Sequence, residues 1–210
     1  MTTILKKEWA ISFWFILIVL VLTSLTTLGG TTPLHLTFMF TIILLSHLFQ
    51  TDEKSKMNVY LASLPIERKE IVRGRYIFLA LFVLSMITFG SLLNILIPNL
   101  LPTIEWSQQF TIVESALVCT ILLILLSFIL PIYYRFSFGI ATLIFIVSVG
   151  FLSLVFFVSL FWNEGFLVNW LTEYFFSANY IPPAIGLAII LFWLSYNISV
   201  AIFEKKDFHA

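Results

Sequence analysis

The chain has 210 residues, of which 60% are hydrophobic and only 10% are charged, and its mean hydropathy is +1.06. Soluble domains carry about 25% charged residues and about 45–50% apolar ones, so this composition excludes an ordinary soluble protein. The formal net charge is zero, and the single cysteine, Cys119, excludes a disulfide framework within the chain.

Six apolar stretches are close to the length that a membrane helix needs, which is about 20 predominantly apolar residues. Gly29 and Gly30 separate the first two stretches, and Pro98 is expected to end the third. Pro182 and Pro183 suit the first turn of the sixth, because a backbone N–H at that position would have no partner within the helix and proline lacks one. The predicted spans are about 9–28, 33–49, 76–97, 111–134, 136–162 and 181–203. The predicted fold class is therefore all-α, a polytopic membrane protein with one transmembrane domain over residues 1–210.

The positions of the basic residues predict the orientation, because Lys and Arg concentrate on the cytoplasmic side of a membrane. With the N-terminus inside, all eleven Lys and Arg fall in cytoplasmic segments, and all the charged residues of the external segments are acidic. An even number of spans then places both termini in the cytoplasm. The basic residues are Lys6, Lys7, Lys54, Lys56, Arg68, Lys69, Arg73, Arg75, Arg135, Lys205 and Lys206.

The cytoplasmic loop 51–75 is the only long polar segment, and it holds six of the eleven basic residues and four of the eleven acidic ones. Apolar residues at helical spacing before Pro65 predict a short amphipathic helix, which the proline then interrupts. Ser63 is well placed to cap a second helix that leads directly into the third span. Mixed charge beside ordered apolar positions favours a docking surface for a soluble protein. The alternative is a solvated loop whose basic residues touch anionic lipid.

The external segment 163–180 has apolar residues on one side of a predicted helix. This pattern is typical of a helix that lies on or dips into the outer leaflet, and an ordinary packed extracellular helix is the alternative. The apolar positions are Phe166, Leu167, Trp170, Leu171, Tyr174 and Phe175.

Motifs of enzyme chemistry are absent from the sequence. There is no G-x-x-x-x-G-K-[ST] phosphate loop, no G-x-S-x-G and no H-E-x-x-H. No predicted span has a charged residue near its centre, which argues against an ion-coupled carrier. We therefore predict no catalytic residue, no metal site and no cofactor bound by this chain itself, and we do not expect an enzyme.

The loop between the second and third predicted spans resembles that of the type-2 ABC permeases, in particular the short bacterial ones with a D-E-K…S-L-P…R…I-V…K/R-Y signature. The N-terminal run from Lys6 to Trp9 is similar to a short form of the interfacial helix that precedes the first span in that family. The matching residues are Asp52-Glu53-Lys54, Ser63-Leu64-Pro65, Arg68, Ile71-Val72 and Arg75-Tyr76.

The resemblance implies a membrane subunit that pairs with a second, identical or different, permease subunit. It also implies docking of a separate cytoplasmic ABC ATPase, which binds ATP and Mg, and it places the external segment 163–180 at the family's outer gate. The docking element, or coupling helix, would lie between Ser63 and Arg73. Its candidate residues are Ser63, Leu64, Pro65, Glu67, Arg68, Lys69, Ile71, Val72 and Arg73, with Glu67 and Arg68 as candidate charge contacts.

The function that follows is that of a permease subunit of an ATP-driven exporter in a bacterial plasma membrane, with amphipathic peptides, toxins or drugs as cargo. The alternative is a six-span substrate-capture subunit of a vitamin-uptake transporter. The large mixed-charge loop and the lack of a clustered polar pocket speak against that alternative. A membrane enzyme is disfavoured by the missing catalytic motifs.

Overall fold

The computed structural model describes residues 2–28, 33–55, 60, 67–100, 112–148 and 181–205. These residues form six helices, and no strand occurs among them, which confirms the predicted all-α fold. The helices are α1 (Thr2–Leu28), α2 (Pro33–Lys54), α3 (Arg68–Leu100), α4 (Ile112–Arg135), α5 (Phe138–Ser148) and α6 (Ile181–Glu204).

Four of these helices are long and apolar enough to cross a membrane. They are Lys6–Leu25 of α1, Arg68–Leu93 of α3, Ser115–Arg135 of α4 and Ile181–Glu204 of α6, with hydropathies of 2.0, 2.2, 2.7 and 2.0. The prediction of a polytopic membrane protein is thereby confirmed. The remaining two predicted spans correspond to α2, which ends in a polar run, and to α5, which is too short as described, so six spans remain a prediction.

The ends of the helices that the charge rule predicts to be cytoplasmic meet at one end of the bundle, which we call the inner end. The first turns of α1 and α3 lie against the last turns of α2 there. The start of α3 also reaches the last turn of α6, and the end of α4 packs on α2. Far from this end, the hydroxyls of Ser91 and Ser115 lie 3.4 Å apart between α3 and α4. Successive helices α1 to α4 therefore alternate in direction, as the predicted topology requires.

The central element is α3, which packs against α1, α2, α4 and α6. One set of its buried residues recurs every three or four positions, the spacing of one helix face, and no member of this set is more than 3% exposed. They are Val72, Tyr76, Leu79, Val83 and Met86.

The helix α3 is continuous from Arg68 to Leu100, so the charged end of the predicted loop and the third span form one helix. The carbonyl of Glu67 accepts the amide N–H of Glu70 at 2.9 Å, and the acidic Glu70 suits the positive end of the helix dipole. The helix continues two residues past Pro98, where we predicted that it would stop. Proline removes one hydrogen bond, but its backbone angle is compatible with a helix. The predicted cap Ser63 lies outside the described residues.

Candidate functional site

The inner end contains a buried ionic cluster that joins α1, α2 and α3. Arg75 of α3 is only 3% exposed in its side chain. Its Nη2 and Nε donate to Glu8 Oε1 of α1 at 2.8 and 3.3 Å, and the same Nη2 donates to Asp52 Oδ2 of α2. One guanidinium thus holds carboxylates from two other helices.

Lys7 completes the cluster, since its Nζ lies 2.9 Å from Asp52 Oδ1 and 3.5 Å from Glu8 Oε1. Two cations and two anions then balance, which is the condition under which buried charges are tolerated. Among the described residues, Glu8 Oε2 has no hydrogen-bond partner. This set of four, Lys7, Glu8, Asp52 and Arg75, is called the inner cluster below.

The electrostatics of the inner cluster favour the ionised form of Asp52. Burial opposes ionisation, but the charges and hydrogen bonds of Arg75 and Lys7 outweigh it, so the pKa of Asp52 lies below its usual value. A carboxyl with a lowered pKa stabilises the folded state above its unfolded pKa, and that contribution is lost as the pH falls through the folded pKa. The Asp52 carboxylate is therefore ionised at neutral pH.

An aromatic group extends the inner cluster to α4. The Arg75 Cζ lies 4.6 Å from the centroid of the Phe49 ring. That ring stacks on Tyr133 at 4.5 Å and meets Tyr134 edge-on at 5.6 Å. Cation–π and aromatic contacts of this kind add to the stabilisation from burial alone, so α2, α3 and α4 are also held together at this end.

Two further polar contacts connect α3 to α6. Arg68 Nη1 donates to the carbonyl oxygens of Phe203 and Glu204 at 3.4 and 2.8 Å, two of the C-terminal carbonyls that a helix leaves unsatisfied. About two turns after Arg68 on α3, the Tyr76 hydroxyl lies 2.7 and 2.8 Å from the hydroxyls of Ser195 and Ser199. The start of α3 is thus fixed to the end of α6.

Apart from Arg68, the predicted docking residues that the structure describes fall into two groups. Lys69, Arg73 and Glu67 are exposed, whereas Ile71 and Val72 are buried in the core at 4% and 0% exposure. The exposed Lys69 and Glu67 form an ion pair of 2.5 Å, a kind that contributes little to stability. Only the exposed group is available to a partner on this face.

Other predicted site residues are placed differently or lie beyond the description. Arg68, predicted as a charge contact, is half-buried and directs its guanidinium to α6. An Arg68→Glu substitution would therefore disturb the end of α6 as well as any docking surface. Outside the described residues lie Ser63, Leu64, Pro65, Phe166, Leu167, Trp170, Leu171, Tyr174 and Phe175.

The inner cluster itself was not predicted from the sequence. Asp52 and Arg75 belong to the loop signature and Glu8 to the N-terminal run, but nothing in the sequence pairs them. A usable signal was that residues of opposite sign flank three different predicted spans on the same side of the membrane. Glu53 of the same signature accepts a hydrogen bond from the amide of Phe138, the first residue of α5.

The arrangement at the inner end is suited to mechanical coupling, since each of the four charges of the inner cluster contacts a charge on another helix. In the part of the chain that the structure describes, no group of three or more His, Cys, Asp or Glu side chains is placed to hold a metal ion. The contacts described above join all six described helices near one exposed, charged surface of α3. A force applied to that surface would be shared by the helices that the cluster joins.

Comparisons with known proteins agree with the loop signature. No curated protein and no solved structure matches the chain. In a comparison with protein families, residues 2–204 match the family described as ABC-2 family transporter protein. The matched region contains all six described helices and the whole inner cluster, and it favours a permease over a substrate-capture subunit. The chain belongs to the ABC-2 transporter family and is a multi-pass membrane permease component of an ABC transporter.

Proposed function

We propose that the chain is the permease subunit of an ATP-driven exporter in a bacterial plasma membrane, and that its separate ABC ATPase docks on the exposed start of α3. The observation that carries this proposal is the continuity of α3. One helix presents Lys69 and Arg73 at its first turns and forms the centre of the membrane bundle further along.

The contacts around α3 support transmission of movement from the docked surface. Because a helix keeps its backbone hydrogen bonds when it moves, a displacement of its first turns also displaces its membrane part. The inner cluster passes that displacement to α1 and α2, and Arg68 passes it to α6. ATP-driven closure of the ATPase would in this way displace several helices of the bundle together.

The exposed charges indicate the chemistry of the docking contact. Lys69 and Arg73 lie on the exposed face of α3, and Glu67, which pairs with Lys69, adds one acidic group at its start. Complementary charges across an interface guide association and fix the register of the partners. We therefore infer an acidic patch on the ATPase opposite Lys69 and Arg73.

The remaining parts of the proposal rest on the resemblance. ATP and Mg would bind to the ATPase subunit, so this chain would not be an enzyme. Two permease subunits, identical or different, would form the pathway between them, surrounded by membrane lipid. The cargo would be amphipathic peptides, toxins or drugs.

Charge reversal at the two exposed cations tests the docking surface without disturbing the core. We expect the Lys69→Glu/Arg73→Glu variant to lose co-purification with its ABC ATPase partner, when the two are co-expressed and extracted in mild detergent. Acidic side chains near a helix N-terminus are favourable, so α3 itself should remain folded. The measurement is the ratio of ATPase to permease in the purified sample, together with the transition temperature of the permease.

The matched control is Arg135→Glu/Lys205→Glu, which changes the net charge equally at two exposed cytoplasmic positions. This variant should retain the ATPase. Equal retention by both variants would contradict docking on the start of α3, and equal loss would show that the total charge matters rather than the position.

A further inference from the structure

A groove of about 520 Å³ runs between α1 and α3. From α1 it is lined by Lys6, Trp9 and Ile16, and from α3 by Phe78, Leu81, Phe82 and Ser85. Its volume is in the range of small-molecule pockets. The α3 residues follow the spacing of a single helix face and form one mainly apolar wall of the groove.

The floor and the rim of the groove differ in exposure. Phe78 and Phe82 form a floor that is 4% exposed, whereas Trp9 and Leu81 on the rim are 55% and 56% exposed. The Trp9 ring meets the Phe78 ring edge-on at 6.5 Å. An elongated apolar occupant could therefore enter from the side, where the bilayer would lie.

The length of the groove matches one leaflet. Ten residues of α1 separate Lys6 from Ile16, which corresponds to about 15 Å of helix. The hydrocarbon core of a bilayer is about 30 Å thick, so the groove spans about half of it. Lys6 lies at the predicted cytoplasmic surface, and Trp9 is the kind of residue that marks that interface. The groove thus extends from the inner membrane surface towards the bilayer centre.

The charge at its mouth selects the headgroup. Lys7 is held by the inner cluster, but Lys6 is exposed and makes no ion pair or hydrogen bond within the described residues. We propose that this groove binds one anionic phospholipid of the inner leaflet. Lys6 would receive its phosphate and Phe78, Leu81 and Phe82 would receive an acyl chain.

Native mass spectrometry of the delipidated full-length chain in mild detergent tests the proposal. The probes are dioleoyl phosphatidylglycerol and dioleoyl phosphatidylcholine, added in equal amounts. The wild type should retain one phosphatidylglycerol in preference to phosphatidylcholine. In the Lys6→Gln variant, the ratio of retained phosphatidylglycerol to phosphatidylcholine should fall about fivefold, which is the effect expected from losing the attraction of one basic residue to anionic lipid.

Two further variants separate the possible causes. Ser85→Phe fills the groove and should prevent retention of either lipid, while Lys54→Gln removes another exposed cation and should change nothing. Equal retention of the two lipids by the wild type, or an equal effect of Lys6→Gln and Lys54→Gln, would overturn the proposal. A dimer that Ser85→Phe dissociates, without release of lipid, would assign the groove to a second copy of the chain instead.

Discussion

Replacing Arg75 by methionine is expected to lower the free energy of unfolding by about 3–5 kcal/mol, the cost of breaking a buried ion pair by removing one partner. Glu8 and Asp52 would remain buried and would keep only Lys7 as a counter-charge. The measurement is the thermal transition of the purified chain in detergent, which should fall by on the order of 10 °C.

Two matched variants distinguish the loss of a buried charge from the loss of a side chain. Arg73→Met removes an exposed arginine two positions away and should have an effect within about 0.5 kcal/mol. Glu8→Gln/Asp52→Asn/Arg75→Met removes the three buried charges together and should recover much of the lost stability, because no uncompensated carboxylate remains. An unchanged transition in Arg75→Met alone would contradict the inner cluster.

Truncating Phe49 to alanine is expected to cost about 3 kcal/mol or more. The ring is 6% exposed and lies between Arg75 and the stacked Tyr133, with Tyr134 at its edge. Its removal leaves a cavity at the point where α2, α3 and α4 meet. The check is again the transition in detergent, followed by limited proteolysis to show whether the inner end opens first.

The control for this substitution is Phe13→Ala, which removes the same side chain from a position that is 44% exposed on α1. A clearly smaller loss is expected there, because no enclosed cavity forms. Similar losses for the two variants would show that Phe49 is not a packing centre. That result would also contradict an aromatic connection between the inner cluster and α4 that contributes to stability.

The sequence carried the general architecture for identifiable physical reasons. Long apolar runs can satisfy their backbone in a membrane only as helices or closed barrels, and the one-sided distribution of Lys and Arg predicts the orientation. The same reasoning led from the charged residues before Tyr76 to a helix running directly into the third span, and α3 begins at Arg68. The family, too, was recognisable from the loop signature.

The contacts that define the candidate site could not be predicted from the sequence in the same way. Arg75 and Glu8 are 67 residues apart, and Arg68 contacts the carbonyl of Glu204 across 136 residues. Such pairs depend on which helices are neighbours in the bundle. Helices that are apolar on all sides give no pattern from which their packing order follows. Ile71 and Val72 are among the predicted docking residues because they belong to the loop signature, and the structure buries both in the core.

The central claim, that an ABC ATPase docks on the start of α3, is tested most directly by photo-cross-linking in intact bacterial membranes. A benzophenone amino acid at position 69 should form a covalent product with a P-loop ATPase, identified by mass spectrometry, whereas the same label at position 14, on the 71% exposed Trp14 of α1, should not. A product at position 69 that contains only lipid or a second copy of the chain would contradict the account.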